Sequence, residues 1–141
     1  MIVIGDEAGT AITTGYSNVA IGFEALKTED AHGLNVAIGY QSLKVLNAGA
    51  DGYTTSVGYQ AGHKITTGLR NNLFGAGTGD ELLTGTDNTA FGGFALSTDT
   101  EGSRSVAIGT SALNAQNFSS ETISYNTAVG YSAGLAVTTG T

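Results

Sequence analysis

The chain contains no cysteine and no proline. The first absence rules out disulfide staples and thiolate metal sites, and it leaves nothing from which to infer a redox compartment. The second fits a chain of stacked interior strands, because a residue without an N–H breaks a ladder wherever a strand has neighbours on both sides. Basic residues are also scarce, 5 against 12 acidic ones, for a net charge of −7. Nucleic-acid binding depends on Lys and Arg neutralising phosphates, so no nucleic-acid partner is expected, and anionic membrane surfaces are disfavoured for the same reason. No apolar run is long enough to span a bilayer, so membrane insertion is not expected. The segment from Met1 to Glu7 has neither a basic region nor a sustained apolar stretch, so it does not read as a secretory signal.

Glycine is abundant, with 22 residues in 141, and its placement is periodic. Gly5, Gly22, Gly39, Gly58, Gly75, Gly92, Gly109 and Gly130 are separated by 17, 17, 19, 17, 17, 17 and 21 residues. So regular a repeat implies stacked coils, and disorder is a poor reading of a glycine-rich chain that carries an apolar period. The expected fold is all-β: a parallel β-solenoid, or β-roll, of about eight coils of 17 residues, forming one repeat domain over 1–141.

Each marker glycine closes a four-residue segment such as Val36-Ala37-Ile38-Gly39. Alternation bounded by glycine reads as a short strand with a bulky face and a small one. The bulky column, Ile21, Ile38, Val57, Phe74, Phe91, Ile108 and Val129, is expected to form the core. The small column, Ala20, Ala37, Ala90, Ala107 and Ala128, is expected to allow close approach of a second chain. Gly39 and its equivalents fit sharp corners.

Four positions after the corner stands either glycine (Gly9, Gly62, Gly79, Gly134) or leucine (Leu26, Leu43, Leu96, Leu113). The glycine coils carry Ile12, Ile65, Leu82 or Val137 three positions on, whereas the leucine coils carry Glu29, Leu46, Asp99 or Gln116. This implies two coil subtypes filling one core slot from different positions, with Leu46 as an exception left exposed or facing a partner. The longer spacings mark insertions near 47–53 and 114–125, expected as loops on a binding face, where Tyr53, Phe118 and Tyr125 are candidate partner or receptor contacts. Tyr40, Tyr59 and Tyr131, which follow corner glycines, are further candidates beside a simple packing role.

The segments Asn35-Val36-Ala37-Ile38-Gly39, Ser105-Val106-Ala107-Ile108-Gly109 and Asn126-Thr127-Ala128-Val129-Gly130-Tyr131 resemble the head repeats of trimeric autotransporter adhesins. They resemble still more closely the Asn-Thr-Ala-x-Gly-Tyr repeats of bacteriophage tail fibres. The likeness covers essentially the whole chain and implies a left-handed parallel β-roll, two short strands per coil, assembled as a homotrimer. The residues support association independently: eight coils at about 4.8 Å make a rod of roughly 38 Å with a thin core, and one chain alone leaves apolar surface wet. The sequence shows no heptad-repeat stalk and no membrane anchor of the adhesin type, which favours a virion protein or a fragment.

No catalytic constellation stands out. His32 and His63 have no recurring carboxylate or serine partner and read as solvated, as do the acidic pairs Glu29-Asp30 and Asp80-Glu81, which lack an ordered calcium-loop spacing. Gly75-Ala76-Gly77-Thr78-Gly79 lacks the lysine of a phosphate loop. Thr13-Thr14, Thr66-Thr67 and Thr138-Thr139 are too unevenly spaced for a flat ice-binding array. The expectation is a non-enzymatic virion structural and adhesion module without cofactor or metal. Its expected partners are two further copies of itself and a neighbouring virion protein or a host-surface glycan or protein. The alternatives are a capsid decoration protein, the head fragment of a bacterial surface adhesin and, from another class, a glycan-active enzyme.

Overall fold

The computed structural model describes residues 1–140; Thr141, the last residue of the expected domain, lies outside them. The described residues form ten short strands and no helix: β1 (Ile2–Ile4), β2 (Val19–Ile21), β3 (Val36–Ile38), β4 (Thr55–Val57), β5 (Asn72–Phe74), β6 (Thr89–Phe91), β7 (Gly102–Ser103), β8 (Val106–Ile108), β9 (Thr122–Ile123) and β10 (Thr127–Val129). Eight of them pair in parallel in the order β1-β2-β3-β4-β5-β6-β8-β10. The register places Ile21 beside Ile38, Ile38 beside Val57, and so on to Val129 beside Ile108. The chain is a parallel β-solenoid of about eight coils. Each coil contributes one three-residue strand, and a second ladder appears only where β7 pairs with β9.

The corner is a turn of definite geometry. Gly39 has φ +131°, and Gln41 has φ +55° while the Ser42 N–H donates to the Gly39 carbonyl at 3.4 Å. A positive φ at the third residue defines a type II turn. Positive φ recurs at eighteen non-glycine residues, and all of them fall into three columns of the repeat. One is the Gln41 column. The second is Leu26, Leu43, Leu96 and Leu113, which share the left-handed conformation of Gly9, Gly62, Gly79 and Gly134. The third lies two residues ahead of each strand and holds Ser17, Leu34, Tyr53, Arg70, Asp87, Arg104 and Tyr125. Such conformations cost about 1–3 kcal/mol each and persist only where the surroundings over-determine them, here through backbone bonds to the adjacent coils. The Gln41 N–H donates to Phe23, and the Arg70 N–H to Gly52, at 2.8 and 2.7 Å.

Burial reverses the expected faces of the strand. Ala20, Ala37, Ala90 and Ala107 are fully buried and Ala128 nearly so, which places the small column inside the roll and away from any second chain. Ile21, Ile38, Val57 and Phe74 are only half-buried, and Phe91, Ile108 and Val129 are exposed, so the bulky column points outward. The cause is the narrow cross-section of a coil. The other sides already project Leu26, Leu43, Leu46, Ile65, Leu82, Leu96 and Leu113 inward, all essentially inaccessible, at about 1.5–3 kcal/mol each. The strand centre therefore has room for Ala or Ser. Two strand centres are larger: Val3, 40% exposed in the end coil, and Leu73, which lies beside Gly62 and Gly79, where an added Cβ would lie 2.9 and 3.1 Å from its methyls.

The two-subtype packing is also corrected. Both positions point inward in the leucine coils, because Glu29, Leu46, Asp99 and Gln116 are as buried as the leucines beside them. Leu46 is thus core, neither exposed nor available to a partner. Glu29 and Asp99 are interior acids.

A buried polar ladder runs ahead of the strands through Asn18, Asn35, Thr54, Asn71, Asn88 and Ser105. Each accepts the N–H of its successor: Asn35 N to Asn18 Oδ1 at 3.0 Å, Asn71 N to Thr54 Oγ1 at 3.3 Å, Ser105 N to Asn88 Oδ1 at 2.9 Å. The amides of Asn71 and Asn88 donate to Gly85 and Gly102 carbonyls at 2.8 and 2.9 Å. Interior backbone groups that no strand pairs are satisfied in this way, as burial requires.

Candidate functional site

Three features carry chemistry beyond the core. The first is the outer face of the eight-stranded sheet. Ile2 and Ile4 are 51% and 59% exposed, and Phe91 and Val129 are 55% and 65% exposed, in line with the half-buried Ile21, Ile38, Val57 and Phe74. Phe74 and Phe91 stack with centroids 5.2 Å apart. These residues form one continuous apolar column rather than an ordinary scatter of single apolar positions.

The second is an aromatic ladder just past the corner glycines. Phe23, Tyr40 and Tyr59 stack at 5.3 and 5.2 Å with interplanar angles of 19° and 7°. Packing along the rod and exposure of one flank coexist, since Tyr40 and Tyr59 remain 43% and 55% accessible. Tyr131 holds the same repeat position, but Ala76, Gly93 and Thr110 intervene, so it stands apart from the stack, 83% exposed. Next to the ladder, Gln60 donates to Gln41 at 2.9 Å and Gln41 to Glu24 at 2.6 Å. Lys27 and Lys44 lie 2.6 and 2.8 Å from the same carboxylate. These contacts, Lys27 foremost, hold the Glu24 carboxyl down at about 2.

The third is the left-handed column ahead of the strands, which unites two residues expected on separate loops. Tyr53 and Tyr125 occupy the same repeat position as Arg70, Asp87 and Arg104. Arg70 grips Asp87 with Nε and Nη2 at 2.6 and 3.2 Å, and Arg104 Nε lies 3.8 Å from the same carboxylate. Asp87 is held below the usual carboxylate range, chiefly by Arg70. Arg104 also donates to the Tyr125 hydroxyl at 2.9 Å, with its guanidinium 5.8 Å from the ring centre. Two guanidinium groups share one carboxylate and are flanked by tyrosines, which suits a polar ligand with an acceptor-rich or planar group.

Phe118 is withdrawn from the contact candidates. It is 6% exposed, its N–H donates to Asp99 Oδ1 at 3.1 Å, and its carbonyl accepts from Thr100 Oγ1 at 2.7 Å. Part of the longer insertion is taken into the stack as β9, and its exposed residues are Asn117, Ser119 to Glu121, Ile123 and Tyr125.

Comparison with protein-family models, with curated proteins and with solved structures finds no match for this chain. The geometry alone therefore bears on function. Among the described residues no enclosed pocket occurs, and the features are long, shallow faces that repeat at the coil spacing. The residues missed from the sequence are Arg70, Asp87 and Arg104. Their spacing of 17 residues was legible, but the ion pairs become evident only once coils are stacked.

Proposed function

We propose that this chain is a non-enzymatic structural and adhesive module: a left-handed β-roll that assembles as a homotrimer in a phage tail fibre or similar virion appendage. The observation that supports it most is the outward apolar column, Ile4 through Val129, on an otherwise polar and acidic molecule. Two further copies of the chain, each offering the same flat sheet, cover that face, and a heterologous contact between two different parts of that surface closes as a three-membered ring. The trimer contact consists of the bulky column, the alanines being inside each roll. The aromatic ladder and the Tyr53 to Tyr125 column then lie along the flanks as contacts for a host-surface glycan or protein or a neighbouring virion protein. Rows of aromatic faces with guanidinium groups beside them suit sugar rings and polar protein surfaces.

Mass in solution tests the assembly. Three chains of 14.2 kDa give about 43 kDa by light scattering, whereas a particle of one chain's mass overturns the trimer. Imaging of virions tests the setting. Density at the tail tip agrees with a fibre, and density on capsid faces replaces it with a decoration protein.

A further inference from the structure

Glu29 is a carboxylate with no accessible surface, placed in the inner slot between Ile12 of the preceding coil and Leu46 of the next. Its repeat equivalent Asp99 shows what such a group needs. Asp99 accepts from the Gly102 N–H at 3.0 Å, the Phe118 N–H at 3.1 Å and Gln116 Nε2 at 2.6 Å. Glu29 accepts only the His32 N–H, at 3.1 Å on Oε1, because Leu46 stands where Gln116 supplies its amide. Its Oε2 is a buried oxygen with no donor, and the buried Nδ1 of His32, 3.6 Å from Oε1, likewise has no hydrogen-bond partner. An unpaired interior carboxylate costs several kcal/mol unless another charge meets it.

The missing charge has a place. Ligand atoms of Glu29, Asp30 and His32 all lie within 4.8 Å of one another. Two carboxylates and an imidazole around zinc sit at bond lengths of about 2.0–2.2 Å, which puts neighbouring ligand atoms about 3.3–3.5 Å apart. The pair of Glu29 and His32 is already close to that spacing, and Asp30, exposed, is free to swing in. We propose that Glu29, Asp30 and His32 bind one divalent transition cation of the zinc class, with at least one coordination position left open to water. The imidazole selects against calcium and magnesium, which take oxygen ligands. The site also has a mechanical consequence. The Asp30 carbonyl accepts the N–H groups of Thr13, Thr14 and Gly15, at 2.7, 3.3 and 3.4 Å, so a cation fixing Asp30 clamps the first coil onto the second.

Protein stripped with a chelator and titrated with Zn²⁺ alone should bind one ion per chain and unfold at higher temperature. The exchange of the Thr13 to Gly15 amide protons should slow as well. His32→Ala should weaken binding by more than about 100-fold, beyond the loss of an outer-shell partner. Glu29→Gln, with an amide in the slot as at Gln116, should fold yet lose the zinc response. His63→Ala, which leaves the site intact, should bind as the parent does. Absence of saturable binding at one ion per chain, equal affinity for Ca²⁺, or undiminished binding by His32→Ala overturns the proposal. A Glu29 and His32 pair that titrates together in nuclear magnetic resonance with no response to Zn²⁺ assigns the charge balance to a proton instead, and overturns it too.

Discussion

Replacing Gly39 by alanine should be among the most damaging single changes in this protein, and the structure separates its two causes. Gly39 has φ +131°, which side-chain-bearing residues rarely adopt, and a Cβ built on it would lie 2.2 Å from the Gly58 carbonyl oxygen of the next coil. That oxygen is backbone and cannot rotate away. Relief requires the coils to part, which stretches Gly58 N to Ile38 O and Gln60 N to Tyr40 O, both 2.8 Å. Strain of about 1–3 kcal/mol and overpacking of about 1–3 kcal/mol together give a loss of roughly 2–6 kcal/mol. Three other glycines dissect the sum. Gly130 has φ +130° but its Cβ would meet nothing nearer than 3.9 Å, so Gly130→Ala should show strain alone. Gly85 lacks the positive φ but its Cβ would lie 2.2 Å from the Gly102 carbonyl oxygen, so Gly85→Ala should show the clash alone. Gly93 has neither, with its nearest contact at 3.8 Å, and Gly93→Ala should be neutral or stabilising by up to about 1 kcal/mol. Urea unfolding of the four variants, followed by circular dichroism, should rank Gly39→Ala last in stability. If Gly39→Ala costs no more than Gly130→Ala or Gly85→Ala, or if Gly93→Ala is equally damaging, the corner geometry has been misread.

The reversed strand faces predict opposite fates for adjacent residues. Ala37→Asp buries an unpaired charge and should prevent folding, a cost comparable to the whole stability of a domain, about 5–15 kcal/mol. Ile38→Asp should leave a folded roll by circular dichroism while reducing the mass in solution to 14.2 kDa; the same mass in both variants and the parent contradicts the assignment. Leu96→Gly should relieve about 1 kcal/mol of left-handed strain yet lose about 2–5 kcal/mol of core packing, a net loss measurable as a lower denaturation midpoint. Glu24 is depressed to about 2 from 4.5, so its stabilising contribution is full above pH 4.5 and disappears as pH falls toward 2. Melting temperatures across that window should fall less steeply in Glu24→Gln, and an unchanged slope rules the cluster out as a source of acid sensitivity.

Much of this architecture is translational, and translation is legible in one dimension. Residues 17 apart that stack directly must agree with their neighbours, so the coil count, the corner glycines and the glycine-or-leucine column could all be read from spacing. The left-handed columns were less visible. Glycine announces such a conformation, but Gln41, Leu43 and Arg70 adopt it because flanking coils hold their backbone, and nothing in those residue types signals it. Tyr53 and Tyr125 seemed to belong to separate insertions, and the extra residues are absorbed before them, which returns both to the same column.

The alternation of Val36, Ala37 and Ile38 shows by itself that a strand has two unlike faces, and the 17-residue period shows that those faces form columns. It cannot say which column is inside, because a period of two is the same viewed from either side. Closure of the coil decides that. Once Leu43, Leu46 and their equivalents fill the roll from the opposite walls, most strand centres have room only for Ala or Ser, Leu73 fitting beside two glycines, and the isoleucines are turned outward. The same closure drew Glu29 from an apparently solvated turn into the interior, where its neighbours leave one oxygen unanswered.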